Sequence, residues 1–261
     1  MRRNVRHLDL FFKTNLVRIL ALVYSYDMNK RILIGIVLVA LLIGVYIASG
    51  VPQDGGEGEA TEQEYVIDGG DFVDSDVLLK DVSPTAGISE VEIAGLLLMR
   101  EEEKLARDVY TVLGEQWGVA IFGNIAHSEQ THMDAVAVLL AHYGISDPVS
   151  ENEEIGIFVD PELQQLYGRL VSEGSTSIPA ALGVGATIED LDIFDLERLI
   201  GETDKEDIVV TYKNLQKGSR NHLRAFVRQI EQRGGTYKPQ YISPDTYKSI
   251  IGSTQERGTV Q

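Results

Sequence analysis

Between Ser89 and Gly235, apolar residues recur every three and four positions in four long runs, the period of helices that bury one face. Start and stop signals bracket each run. Ser89 with Glu92 forms a capping box for a helix to about Gln116, and a second helix runs from about Val119 to Tyr143, closed by Gly144. Asp160-Pro161 opens a shorter helix to Glu173, ended by Gly174. Ser177 opens a long one to Ile200, and Thr203 or Asp204 caps the last, which ends at Gly234-Gly235. Ser243-Pro244 begins a small terminal helix. No alternating run of useful strand length occurs, so the pattern predicts an all-α domain.

The core stripes of the four long helices share one anomaly. The first reads Leu96, Met99, Glu103, Ala106, Tyr110, Leu113, Trp117, and the second Phe122, Ile125, Glu129, His132, Val136, Leu139, Tyr143. The third reads Leu182, Gly185, Glu189, Asp192, Leu196, Leu199, and the fourth Ile208, Tyr212, Leu215, Ser219, His222, Phe226, Ile230. Each is apolar at its ends and polar in the middle. In an up-and-down bundle, mid-helix positions lie at one depth, so these side chains converge. Burying four carboxylates without compensation costs several kcal/mol each. A pair of divalent metal ions would compensate them, whereas Arg107, the nearby cation, could pair with only one.

The candidate ligands are therefore Glu103, Glu129, His132, Glu189, Asp192 and His222. Glu129-x-x-His132 puts two of them on one helical face, the i, i+3 spacing of bundle-type di-metal sites. Within Glu101-Glu102-Glu103-Lys104 the stripe selects Glu103, and its neighbours are expected to face water. Tyr110, Arg107 and Ser219 are expected around the ligands, Tyr110 as a hydrogen-bond donor to a ligand carboxylate. His127 and His142 lie off the stripes and are read as surface or packing residues. The loop from Ser146 to Val159, with Glu151, Glu153 and Glu154, is expected to be solvated, and the segment after Gly235, with Tyr237, Tyr241 and Tyr247, to pack back on the helices.

The N-terminus adds a second region. Residues 32–48 form 17 uncharged, mostly apolar residues preceded by Lys30 and Arg31. That is the short end of a membrane span, and the basic flank would stay in the cytoplasm with residues 51–261 outside. The expectation is a single-pass anchor over 32–49 in the cell membrane; the alternative is a signal peptide cleaved near Ala48-Ser49-Gly50 and a secreted domain. Residues 1–31 are a basic lead-in, and Met28 is an alternative start to Met1. Residues 50–87 read as an acidic flexible tether, 88–251 as the helical domain and 252–261 as a tail.

Charge and composition narrow the chemistry. Residues 1–50 carry a net +5, 51–87 a net −9 and 88–261 a net −13, which together give the chain's −17. The acidic helical domain is a poor partner for nucleic acid. There is no cysteine, which excludes disulfides, Cys-bound zinc, iron–sulfur centres and a lipidated thiol within the chain.

At the stripe residues the chain resembles the ferritin-like superfamily, rubrerythrin-type domains in particular. Glu103-Lys-Leu-Ala106-Arg107-Asp-Val-Tyr110 is similar to the first-helix pattern and Glu129-Gln-Thr-His132 to the first Glu-x-x-His. Glu189-Asp-Leu-Asp192 resembles the third helix's acid pair, with Asp for the second Glu. His222 matches the histidine of the second Glu-x-x-His, but Ser219 stands where its glutamate belongs. REEEKLARDVY, SEQTHMDAV, IEDLDIFDL, GSRNHLRAF and GGTYKPQYIS resemble, more closely still, a family of uncharacterised ferritin-like proteins of archaea and bacteria, over about residues 88–251.

The resemblance implies a ferritin-like up-and-down four-helix bundle with extra short helices and two metal ions, iron first, manganese or zinc as alternatives. The missing glutamate implies a second metal with one carboxylate fewer. Two functions compete: an oxidoreductase acting on peroxide, O2 or Fe(II), which would need an external electron donor, and a non-catalytic helical module, metal-stabilised or metal-free. A homodimer is compatible with either, and a storage cage fits poorly with a tethered N-terminus.

Overall fold

The computed structural model describes residues 87–150 and 153–260. The lead-in, the anchor and nearly all of the acidic tether lie outside the described residues, as does Glu151. Six helices order the described chain: α1 (Glu90–Trp117), α2 (Ala120–His142), α3 (Pro161–Gly174), α4 (Ile178–Ile200), α5 (Glu206–Gln232) and α6 (Pro244–Ile251). Among the described residues there is no strand, and no helix is long and apolar enough to cross a membrane. The all-α expectation holds, with helix ends within a residue or two of those read from the sequence.

Local chemistry explains most of the boundaries. Ser89 and Glu92 make the expected capping box, and Gly118, at φ 64°, ends α1 by donating its N–H to Gly114 O at 2.9 Å. Two residues then suffice to turn the chain into α2, so α1 and α2 form a tight hairpin. Asp160, Ser177 and Ser243 cap α3, α4 and α6 through their side chains. The start of α5 differs from expectation. Lys205 occupies the cap position without a side-chain bond, while Thr203 accepts from Lys205 N and donates to Glu92 Oε1 at 2.6 Å. Thr203 thus ties the α4–α5 turn to the start of α1 instead of capping α5.

The α1–α2 and α4–α5 hairpins pack on each other, with α1 against α4 and α2 against α5. Their interior contains two apolar clusters. One gathers Tyr110, Leu113, Phe122, Leu182 and Phe226, the other Leu96, Met99, Val136, Leu196, Tyr212 and Leu215. Each fully buried side chain of this kind contributes about 1.5–3 kcal/mol of transfer free energy. The polar stripe centres belong to neither cluster.

Several buried polar groups fasten the connections to this frame. Arg100 reaches Asp147 and the Met133 carbonyl, and Lys104 reaches Asp108 and the Glu154 carbonyl. The 146–159 loop is therefore anchored, contrary to its reading as a solvated connection: Val149 and Phe158 are buried, although Glu153 and Glu154 do face solvent. The chain beyond α6 also exceeds expectation. Glu256 pairs with Arg220 and Arg224, and Asn214 exchanges bonds with the Val260 backbone, so the tail lies along α5.

Candidate metal centre

Glu103 from α1, Glu129 and His132 from α2, Glu189 and Asp192 from α4, and Ser219 and His222 from α5 are all buried, each at 8 % exposure or less. Six of these seven are the predicted ligands. Their convergence follows from the stripe argument: each sits at the middle of its helix on the inward face.

Within the patch the ligand atoms sort into two groups of three. One oxygen each from Glu103 and Glu129 and a His132 ring nitrogen lie within 4.8 Å of one another, as do one oxygen each from Glu129 and Glu189 and a His222 ring nitrogen. Glu129 belongs to both. Its Oε2 stands 2.7 Å from His132 Nδ1 and its Oε1 2.9 Å from His222 Nδ1. The two imidazoles stack across it with ring centres 5.6 Å apart. Glu103 Oε2 is 3.2 Å from His132 Nδ1, and Glu189 Oε2 is 3.5 Å from His222 Nδ1.

Supporting contacts hold these groups in place. The Tyr110 hydroxyl donates to Glu189 Oε1 at 2.5 Å, so the expected donor acts on the α4 carboxylate. His222 Nε2 lies 3.1 Å from Ser128 Oγ, a partner on its far side that fixes the ring. Ser219 hydrogen-bonds Asp192, so this carboxylate stands in the patch but outside both groups of three. Arg107 does not join them. It pairs with Asp108 and Gln130, which corrects its reading as a partner of the site acids.

The expectation that Glu101 and Glu102 face water also fails. Glu101 is buried and accepts from the backbone N–H groups of Val159 and Asp160 at 2.6 and 2.9 Å. Glu102 is half-buried, and its Oε2 is buried without a hydrogen-bond partner. His127 is exposed and His142 half-buried, edge-on to Tyr143, as their off-stripe positions imply.

The electrostatics are those of a site short of positive charge. Burial pushes the Glu103 carboxyl up to about 7 against the pull of His132. Burial, with Glu129 beside it, does the same to Glu189, also to about 7. Asp192 is raised by burial and by the nearby Glu103. For Glu129 burial is outweighed by His222 and His132, which hold it well below the usual range. For His222 burial is outweighed by Glu129 and then Glu189, which lift it to about 10. The two imidazolium ions cannot satisfy four carboxylates.

The donor set fits a pair of divalent cations on independent grounds. Glu103 Oε1, Glu129 Oε1 and His222 Nδ1 are fully buried without a hydrogen-bond partner, although the last two lie 2.9 Å apart, off each other's bonding direction. Buried polar atoms are rarely left so. Four carboxylates match the charge of two divalent ions, and oxygen with imidazole ligands suits iron, manganese or zinc.

Two supporting residues escape a stripe reading. Ser128 lies beside the stripe, not on it. Gly218 makes room for a ligand: a Cβ there would come within 2.6 Å of His132 Cε1 and Nε2. A glycine inside a helix costs about 1 kcal/mol relative to alanine, and that cost was the available signal.

Comparison with known proteins identifies the family. The chain is 58 % identical over 175 residues to an uncharacterized protein, MJ0754, of Methanocaldococcus jannaschii, covering 67 % of this chain and 94 % of the relative. The crystal structure of that hypothetical protein superposes with a TM-score of 0.65 at 57 % identity, over 67 % of this chain and 99 % of that one. The model of an uncharacterized protein domain, DUF2202, matches residues 92–254, a span that contains all six helices but the first residues of α1. The chain belongs to the DUF2202 family.

Proposed function

We propose that the buried patch holds two metal ions, iron first, and that the protein is a ferritin-like oxidoreductase of O2, peroxide or Fe(II). One observation carries the reading: Glu129 is shared by two buried groups of carboxylate and imidazole side chains, in which Glu103 Oε1, Glu129 Oε1 and His222 Nδ1 make no hydrogen bond. In this reading Glu103, Glu129 and His132 would hold one ion, and Glu129, Glu189 and His222 the other. Such a pair, when bound, supplies one-electron redox steps and Lewis acidity.

The chain's own residues do the rest. Tyr110 and Ser128 orient Glu189 and His222. Ser219 donates to Asp192, which would hold this carboxylate apart from both ligand groups. The two apolar clusters flank the site and limit water. Electrons come from a separate donor, since the chain has no cysteine to bind a second redox centre. The resemblance to rubrerythrin-type domains supports the bundle assignment, and the apolar run at 32–48 supports tethering to the membrane.

Metal analysis of the full-length protein tests the proposal. Two ions per chain in the wild type, and none in Glu129→Gln, are expected. A wild type that binds no transition metal after reconstitution with Fe(II) or Mn(II), and is no more stable for it, makes the patch a metal-free polar core.

A further inference from the structure

Beside the buried acid and histidine patch lies a partly open cavity of about 40 Å³. Leu163, Leu166 and Leu170 of α3 face Ile188 and Leu191 of α4 across it. Glu103, Glu129, Glu189 and Asp192 reach its inner end, so it opens onto the ligand carboxylates themselves. α3 stands outside the two hairpins and packs chiefly on α1 and α4. It covers the site on this side.

Size and wall chemistry limit what the cavity accepts. A water-sized occupant needs roughly 10–15 Å³ by this measure, so the space holds about three. A divalent ion with six waters would need roughly 60–90 Å³, so a hydrated ion is excluded by size. A neutral molecule of two or three heavy atoms is not.

We infer that this cavity is the binding and access pocket through which a small, uncharged, weakly polar molecule, of the size of dioxygen, reaches the metal pair, and that the α3 leucines set its size limit. The inference rests on the metal-pair reading and separates two traffics. Metal ions enter elsewhere, while the small-molecule substrate enters under α3.

Xenon and nitric oxide are suitable probes, the first for the cavity and the second for its connection to the metals. Crystals of the full-length protein pressurised with xenon should show a xenon atom between α3 and α4. Leu166→Trp, or Ala106→Leu at a lining residue of α1 if the first variant folds poorly, fills the space and should abolish that site without changing metal content. In Fe(II)-loaded protein the same variants should slow nitric oxide binding at least tenfold. No xenon in the wild type, or an unchanged nitric oxide rate in a variant that has lost its xenon, overturns the pocket while leaving the metal reading intact. Xenon bound in a protein that takes up no metal overturns the delivery role together with that reading.

Discussion

The buried acids of this domain fall into two kinds, distinguished by how many donors the fold gives them. Asp190, fully buried on α4, accepts from the Tyr237 hydroxyl and from the backbone N–H groups of Gln240, Tyr241 and Ile242. Asp108 on α1 accepts from Lys104, Arg107 and the Gly156 N–H, and Glu101 takes two loop N–H groups. Glu103, Glu129 and Glu189, by contrast, share two imidazoles and one tyrosine, with buried oxygens left over. The first kind pins loops to helices. In the proposed reading, the second kind is completed by metal ions. Acids i and i+1 on one helix, Glu189 and Asp190, thus meet different surroundings because they point about 100° apart around α4.

The sharpest way to break this contrast is to remove one acid of each kind. Glu129→Gln takes the shared oxygen from both groups of ligands, so metal content should fall from two ions per chain to near zero. Asp190→Asn weakens four hydrogen bonds to a buried carboxylate, at roughly 1.5–3 kcal/mol for each charged bond fully lost. It should lower stability by about 3 kcal/mol and leave metal content unchanged. Metal loss in Asp190→Asn equal to that in Glu129→Gln would erase the distinction.

Ser219 tests the same contrast from the other direction, by adding an acid. It stands one turn before His222, and its hydroxyl occupies Asp192. In a metal-binding patch, Ser219→Glu gains a ligand and should bind the second ion more tightly, with thermal stability restored by Fe(II) or Mn(II). In a metal-free core the same change buries an unpaired carboxylate and costs several kcal/mol. Denaturation of both proteins, with and without metal, separates these outcomes, and destabilisation in every condition counts against the site.

How much of this was legible in the sequence follows from the same division. The ligand acids were visible because they interrupt apolar stripes of period 3.6, a local signal that also fixes their common depth. Glu101 and Asp190 were not. They lie off the stripes, and their donors sit in the 156–160 and 237–242 segments, whose paths have no periodic signature. An off-stripe acid covered by a loop looks, in sequence, like an acid in water. Lys104 and Asp108 were hidden in the same way, four residues apart under a loop read as solvated. The fold-back of the tail rests on Arg220, Arg224 and Asn221, ordinary members of a polar helix face until Glu256 arrives against them.

Glu101 offers a smaller test of that lesson. Glu101→Ala leaves the Val159 and Asp160 N–H groups without their acceptor and should cost about 2 kcal/mol. Glu103→Ala, two residues on, should reduce metal content sharply. If both variants lose metal to the same degree, position on the stripe does not select ligands.

Glu102 fits neither kind and makes the finest test. It lines the cavity beside the ligands and has a buried, unpartnered oxygen, yet it belongs to neither group of three. Burial first, then the neighbouring Asp195 and Asp192, push its carboxyl well above the usual range. Between the usual carboxylate value and that raised one, the folded protein keeps a proton that the unfolded chain has released. Fewer protons on the unfolded chain mean that stability falls as pH rises through this window. Glutamine does not titrate and escapes the fall. In metal-free protein, Glu102→Gln should therefore match wild type near pH 4. By pH 7.5 it should be more stable by about 1 kcal/mol, a rise in Tm of roughly 2–4 °C. Two bound cations favour the ionised carboxyl, so loading the site should shrink this advantage while metal content stays at the wild-type level. A variant that loses an ion would make Glu102 a ligand and move it into the second kind; one with no pH-dependent advantage would mean that its carboxylate finds solvent in the folded protein.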